Sequence, residues 1–137
     1  MRRRVRLLAL LLAGSASASR AGDPHLAYML ECQGCHGADG AGHEGSVPRL
    51  AGRVADFLRV PGGREYLIRV PGSAQSSLGN AELAEVLNWI VRSFGPADAA
   101  AAAAPFSAAE VAQQRARPLV DVEPVRRELL RRIEAAR

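Results

Sequence analysis

The five residues Cys32-Gln33-Gly34-Cys35-His36 decide how the rest of the chain is read. They hold both cysteines of the 137-residue sequence. On one turn of helix, thiols three residues apart face the same side, with the following histidine close by. Four chemistries share a C-x-x-C spacing: a redox dithiol, a zinc site, a structural disulfide and, when histidine comes next, covalent attachment of a c-type haem. The surrounding sequence separates them.

Working outward, Asp23-Pro24 reads as an N-cap followed by proline at the first helical position, opening a helix that carries Leu26, Tyr28, Met29 and Leu30 towards Cys32. Residues 34–52 are glycine-rich, include His43 and Pro48, and read as a loop. Two short helices are expected over 53–60 and 64–70, stopped by Pro61-Gly62-Gly63 and Pro71-Gly72, with a polar loop over 73–79. The clearest element runs from 80 to 94. Asn80 is expected to cap it, and Leu83, Val86, Leu87, Ile90, Val91 and Phe94 fall on one helical face before Gly95-Pro96 ends it. Trp89 stands off that stripe. Residues 96–106 are alanine-rich and read as a linker. A helical extension over 107–137 follows, with Ser107 and Glu110 as a capping box and Val125, Leu129 and Ile133 on one face of a last helix.

The N-terminus reads as a cleaved export signal over residues 1–18: Arg2, Arg3, Arg4 and Arg6, an apolar run over 7–13, then Ala16-Ser17-Ala18. That run is too short to span a bilayer, and no transmembrane segment is expected downstream. All eighteen basic residues are arginine and four lie in the leader, so fourteen remain against fourteen acids. The mature chain is near neutral, and a nucleic-acid partner loses its main support. The patterned segment over 23–95 is too small for a comfortable core and calls for a staple.

Against this background the motif resolves. A redox dithiol expects a βαβ context that is absent, and a zinc site lacks a second cysteine pair. A disulfide is allowed in an oxidising compartment but leaves the thin core unexplained. Attachment of one covalent haem c through Cys32 and Cys35, with His36 as iron ligand, fits the size, the leader and the cysteine count together.

Residues 23–95 resemble the class I cytochrome c family of bacterial electron carriers. The resemblance is carried by the helix leading into Cys32-Gln33-Gly34-Cys35-His36, by the glycine-rich entry Gly37-Ala38-Asp39-Gly40, and by Val47-Pro48-Arg49-Leu50. Pro48 stands twelve residues beyond His36, the family's position for the proline whose carbonyl accepts the hydrogen bond of the ligand histidine. Tyr28 and Trp89 match the aromatic pair that packs the family's first and last helices. The resemblance covers about half the chain and implies an all-α fold around one covalently bound haem, with the C-terminal extension outside it.

One departure matters. The family supplies a methionine as sixth iron ligand from the loop before the last helix, and residues 70–78 contain none. No Met, His, Lys or Cys follows His43. Gln75 and Tyr66 are the candidate cofactor-binding residues there, with water or an open position as alternatives. Arg49, Arg53, Arg64 and Arg69 are candidate partners for haem propionates. The resemblance implies a periplasmic carrier of single electrons, not an enzyme in its own right. Its expected partners are redox proteins: a periplasmic dehydrogenase or oxidase, or another cytochrome. Alternative roles are a haem protein that binds small gases, or a cytochrome subunit fixed to a larger dehydrogenase or oxidase by its C-terminal helices.

Overall fold

Asp23 caps the first helix: its carboxylate accepts the backbone N–H of His25 at 2.9 Å, and Pro24 takes the first helical position. The computed structural model describes residues 22–137, so the leader expected over 1–18 lies outside the described residues. The elements are α1 Pro24–Glu31, α2 Gln33–His36, a 3₁₀ helix Val54–Arg59, α3 Gly63–Arg69, α4 Pro71–Ala74, α5 Asn80–Phe94, α6 Ala97–Ala102, α7 Ala108–Arg115 and α8 Val122–Ala135. The fold is all-α. Among the described residues the one extended pairing is an isolated bridge between His43 and Val47.

Helix α5 is the spine. Its stripe buries Leu83, Val86, Leu87, Ile90 and Val91, as the periodicity requires. Helix α1 packs on it through Tyr28, whose ring lies 5.0 Å from Trp89 and 5.3 Å from Phe94. The Tyr28 hydroxyl donates to the Gly37 carbonyl at 2.6 Å, tying this aromatic cluster to the residue after His36. Trp89 leaves the main stripe because α1, not the interior, receives it.

Several local expectations change. Gly79, not Asn80, is the cap of α5, and Glu82 reaches back to the Gly79 N–H at 2.8 Å. The Asn80 side chain is drawn away, accepting instead from Arg115 at 3.2 Å. The loop expected over 73–79 begins inside α4, which Pro71 initiates. The loop expected over 34–52 begins inside α2. Val125 is exposed, while Leu129 and Ile133 are buried.

The C-terminal extension shares the core of the preceding segment. Phe106, Val111, Leu129 and Ile133 belong to the same buried cluster as Tyr28 and Leu83. Each such side chain contributes about 1.5–3 kcal/mol by leaving water. Polar contacts fix the register. Buried Asn88 donates to the Phe106 carbonyl at 3.0 Å and accepts its N–H at 2.7 Å. Arg64 pairs with Glu110, donates to the carbonyls of Ala104 and Pro105, and lies 4.1 Å over the Phe106 ring. Gly63 is demanded by crowding: a Cβ there would strike the Phe57 carbonyl, so glycine lets α3 close on the 3₁₀ helix.

Candidate functional site

Cys32 ends α1 and begins α2, and the N–H groups of Cys35 and His36 both return to its carbonyl, at 3.2 and 3.0 Å. This single turn sets Cys32 half-buried and Cys35 exposed, with no disulfide between them. Gly37 then turns the chain with φ of +78°. Gly42, at φ +68°, lets the loop fold back: a Cβ there would collide with the carbonyls of Val47 and Pro48. The return brings the Pro48 carbonyl to 3.0 Å from His36 Nδ1. A carbonyl only accepts, so Nδ1 carries the proton and Nε2 keeps its lone pair for a metal. Burial holds the His36 imidazole below its ordinary pKa, while the bond to Pro48 works the other way.

Cys32, Cys35, His36 and Pro48 open onto a cavity of about 650 Å³. Leu83, Val86, Leu87 and Ile90 of α5 form one apolar wall. Tyr66 and Phe57, stacked at 5.1 Å and 14°, contribute another side. The remaining wall comes from α8, through Val122, Arg126, Leu130 and Ile133. These recur at helical spacing, so α8 has a second inward face beside the one that buries Leu129.

Four of the six sequence-derived cofactor residues meet as a group here (Cys32, Cys35, His36 and Pro48), and Tyr66 joins them. Burial raises the Tyr66 pKa, which opposes a phenolate, although the nearby Arg126 pulls the other way. Gln75 is not brought in. It is the exposed C-cap of α4, outside the residues lining the cavity, whereas Ser73, Ser76 and Leu78 of the same segment do line it. The extra helical turn begun at Pro71 rotates Gln75 outward. Met29 is exposed on α1, His25 stacks on Trp89, and His43 pairs with Val47. Among the described residues no methionine, lysine or second histidine lines the cavity.

Of the arginines, Arg49 and Arg53 line the cavity, but Arg64 is consumed by Glu110 and the 104–105 carbonyls. Arg69 is tied to the Arg117 carbonyl at 2.6 Å. Arg126 is the arginine that sequence reasoning missed. Its Nε is buried and has no hydrogen-bond partner among the described residues. The signal was available in the spacing of Val122, Arg126, Leu130 and Ile133.

An apolar cavity with two thiols and an Nε2 lone pair at its mouth, and an orphaned guanidinium N–H within, fits a flat apolar macrocycle bearing carboxylates. It does not fit the rival chemistries. Burial, with help from Glu31 and Cys35, pushes the Cys32 thiol up to about 11, whereas a redox dithiol needs a depressed value. Among the described residues no group of three or more His, Cys, Asp or Glu side chains is placed to hold a metal ion.

No protein-family model matches the chain. It is 37% identical over 131 residues to a "Cytochrome c-552" of Thermus thermophilus, spanning 82% of this chain and 87% of that protein. It is 38% identical over 107 residues to a second "Cytochrome c-552" of Thermus thermophilus, spanning 65% of this chain and 82% of the relative.

Proposed function

The chain belongs to the class I cytochrome c family, carrying one covalent haem c and transferring electrons rather than acting as an enzyme, and we propose the following residue roles and setting for it. Cys32 and Cys35 would hold the haem by thioether bonds, each S–H adding across one vinyl double bond. His36 binds iron through Nε2, and the Pro48 carbonyl holds the ring in the tautomer and orientation this needs. Tyr66 and Arg126 donate to propionate oxygens, which gives the buried Arg126 Nε its missing acceptor. The haem supplies a single-electron Fe(II)/Fe(III) couple; the protein excludes water, fixes the ligand and leaves the Cys35 side open to partners.

The observation that supports this most is the turn Cys32–His36 facing an apolar cavity with His36 Nδ1 fixed 3.0 Å from the Pro48 carbonyl. Holoprotein extracted in acid-acetone should keep its haem and give a pyridine haemochrome of thioether type. Cys32→Ala or Cys35→Ala should abolish most covalent attachment. An exported protein with two free thiols and no haem overturns the reading.

The leader over 1–18 supports export to the periplasm, with cleavage before residue 19. No helix among the described residues is long and apolar enough to cross a membrane. The partners are other redox proteins, a dehydrogenase, an oxidase or another cytochrome, met through small transient interfaces. The extension spends Phe106, Val111, Leu129 and Ile133 on its own domain, which favours a separate carrier over a subunit anchored by its C-terminal helices.

A second reading is favoured by the cavity lining. With no methionine, lysine or second histidine lining the cavity among the described residues, the sixth iron position would be left to water or to a small exogenous ligand. The same site then serves gas binding, and carbon monoxide should bind the ferrous form without displacing a protein ligand.

A further inference from the structure

The segment between α4 and α5 is held from two sides by residues far away in sequence. From α7, the Arg115 guanidinium donates to three of its carbonyls: Nε to Ala74 at 3.1 Å, Nη2 to Ser76 at 2.7 Å and Nη1 to Leu78 at 2.7 Å. Nη1 also reaches Asn80 Oδ1 at 3.2 Å. From α1, the carboxylate of Glu31 accepts from the Ser77 hydroxyl at 2.7 Å and from its N–H at 3.4 Å. Glu31 immediately precedes Cys32. The segment is therefore stapled between the C-terminal extension and the turn that carries the cysteines.

The carbonyls of Ala74, Ser76 and Leu78 belong to half-buried residues that alternate with exposed Gln75, Ser77 and Gly79. Three carbonyls converging on one rigid planar fork are satisfied by it and are also fixed in shape by it. The shape matters because Ser73, Ser76 and Leu78 form part of the cavity wall, together with Glu31 itself. Leu78 is the single side chain of residues 73–79 that packs on the hydrophobic core, so little else holds the segment closed.

We propose that Arg115 and Glu31 hold residues 73–80 as a closed strap over the cofactor cavity, and that this strap limits the access of small neutral ligands to the iron. Arg115 is a positioning residue: it acts through the strap and does not touch the cofactor. The inference rests on the haem reading of the cavity. Lysine cannot replace Arg115, because a point charge with a flexible stem cannot span three carbonyls at fixed spacing.

The test uses full-length holoprotein and carbon monoxide, with association followed by flash photolysis of the ferrous form. Arg115→Ala and Arg115→Lys should each speed association by about tenfold, since losing several anchoring bonds raises the open population. Methylguanidinium should slow Arg115→Ala back towards the wild-type rate. Glu31→Gln should give a smaller gain of about two- to threefold, because the amide oxygen still accepts one bond. Asn88→Ala is the control: it loosens the extension at Phe106, nine residues before Arg115, and should lower the melting temperature with the rate unchanged. Equal rates in wild type and Arg115→Ala overturn the strap. So does an Asn88→Ala variant as fast as Arg115→Ala, which would make the effect one of general loosening. A wild-type protein without covalent haem overturns both the strap and the reading beneath it.

Discussion

The two sides of the cofactor cavity are built by different means. The turn from Cys32 to Pro48 holds itself: its bonds run from Cys35 and His36 to Cys32, from Gly42 to His36, and from His36 to Pro48, none spanning more than twelve residues. The opposite construction is assembled from a distance. Arg115 reaches back 35 to 41 residues to the strap, and Arg126, Leu130 and Ile133 arrive from the last helix. The first side is closed by bonds local in sequence. The second exists only once the extension has docked. Attachment and proximal ligation should therefore survive damage that opens the pocket, and the extension should govern what enters it.

The largest effect that sharpens this contrast is loss of packing under α8. Leu129→Ala removes a buried side chain from the shared core and should cost about 2–5 kcal/mol by chemical denaturation. Covalent haem yield should stay within about twofold of wild type, because no part of the Cys32–Pro48 turn is touched. A variant that keeps its stability would mean the extension is not part of the cooperative unit. A variant that loses covalent haem would mean the cysteine turn depends on the far wall after all.

A moderate effect is expected at Arg126. Removing its charge with Arg126→Gln leaves a propionate without its cationic donor and should lower the reduction potential, since uncompensated negative charge favours ferric iron. Protein film voltammetry reads this directly. An unchanged potential would remove Arg126 from the propionate role.

The smallest effect lies within the self-held side. Tyr28→Phe deletes the bond to the Gly37 carbonyl and should cost about 0.5–1.5 kcal/mol. It also has a pH signature. Burial raises the Tyr28 pKa from 10.0 to about 12, so the native state favours the neutral phenol. Its contribution is complete below pH 10 and is lost as pH rises towards about 12. Tyr28→Phe should flatten that alkaline loss in a pH series of thermal melts, and an identical slope in both proteins would contradict the assignment.

The same contrast explains what could be read from the sequence. The Cys32-x-x-Cys35-His36 turn, the twelve-residue step to Pro48 and the pairing of Tyr28 with Trp89 are fixed by spacing within or between well-marked helices. The α5 stripe is equally plain. Arg115 and Arg126 are not legible in the same way. They are two of eighteen arginines, and nothing local says which one meets Ala74, Ser76 and Leu78 or which is buried beside Tyr66. Gln75 shows the cost of counting positions without geometry. One helical turn begun at Pro71 was enough to carry it outside the cavity lining.

On this construction His36 is, among the described residues that line the cavity, the one strong iron ligand on offer. The direct measurement is the optical and electron paramagnetic resonance spectrum of ferric holoprotein, followed by the ferrous form under carbon monoxide. High-spin or mixed-spin ferric iron and ready carbon monoxide binding are expected, with no sulfur-to-iron charge-transfer band. A wholly low-spin ferric spectrum carrying that band would contradict this, because Met29 would then have to leave its exposed place on α1 and reach the iron.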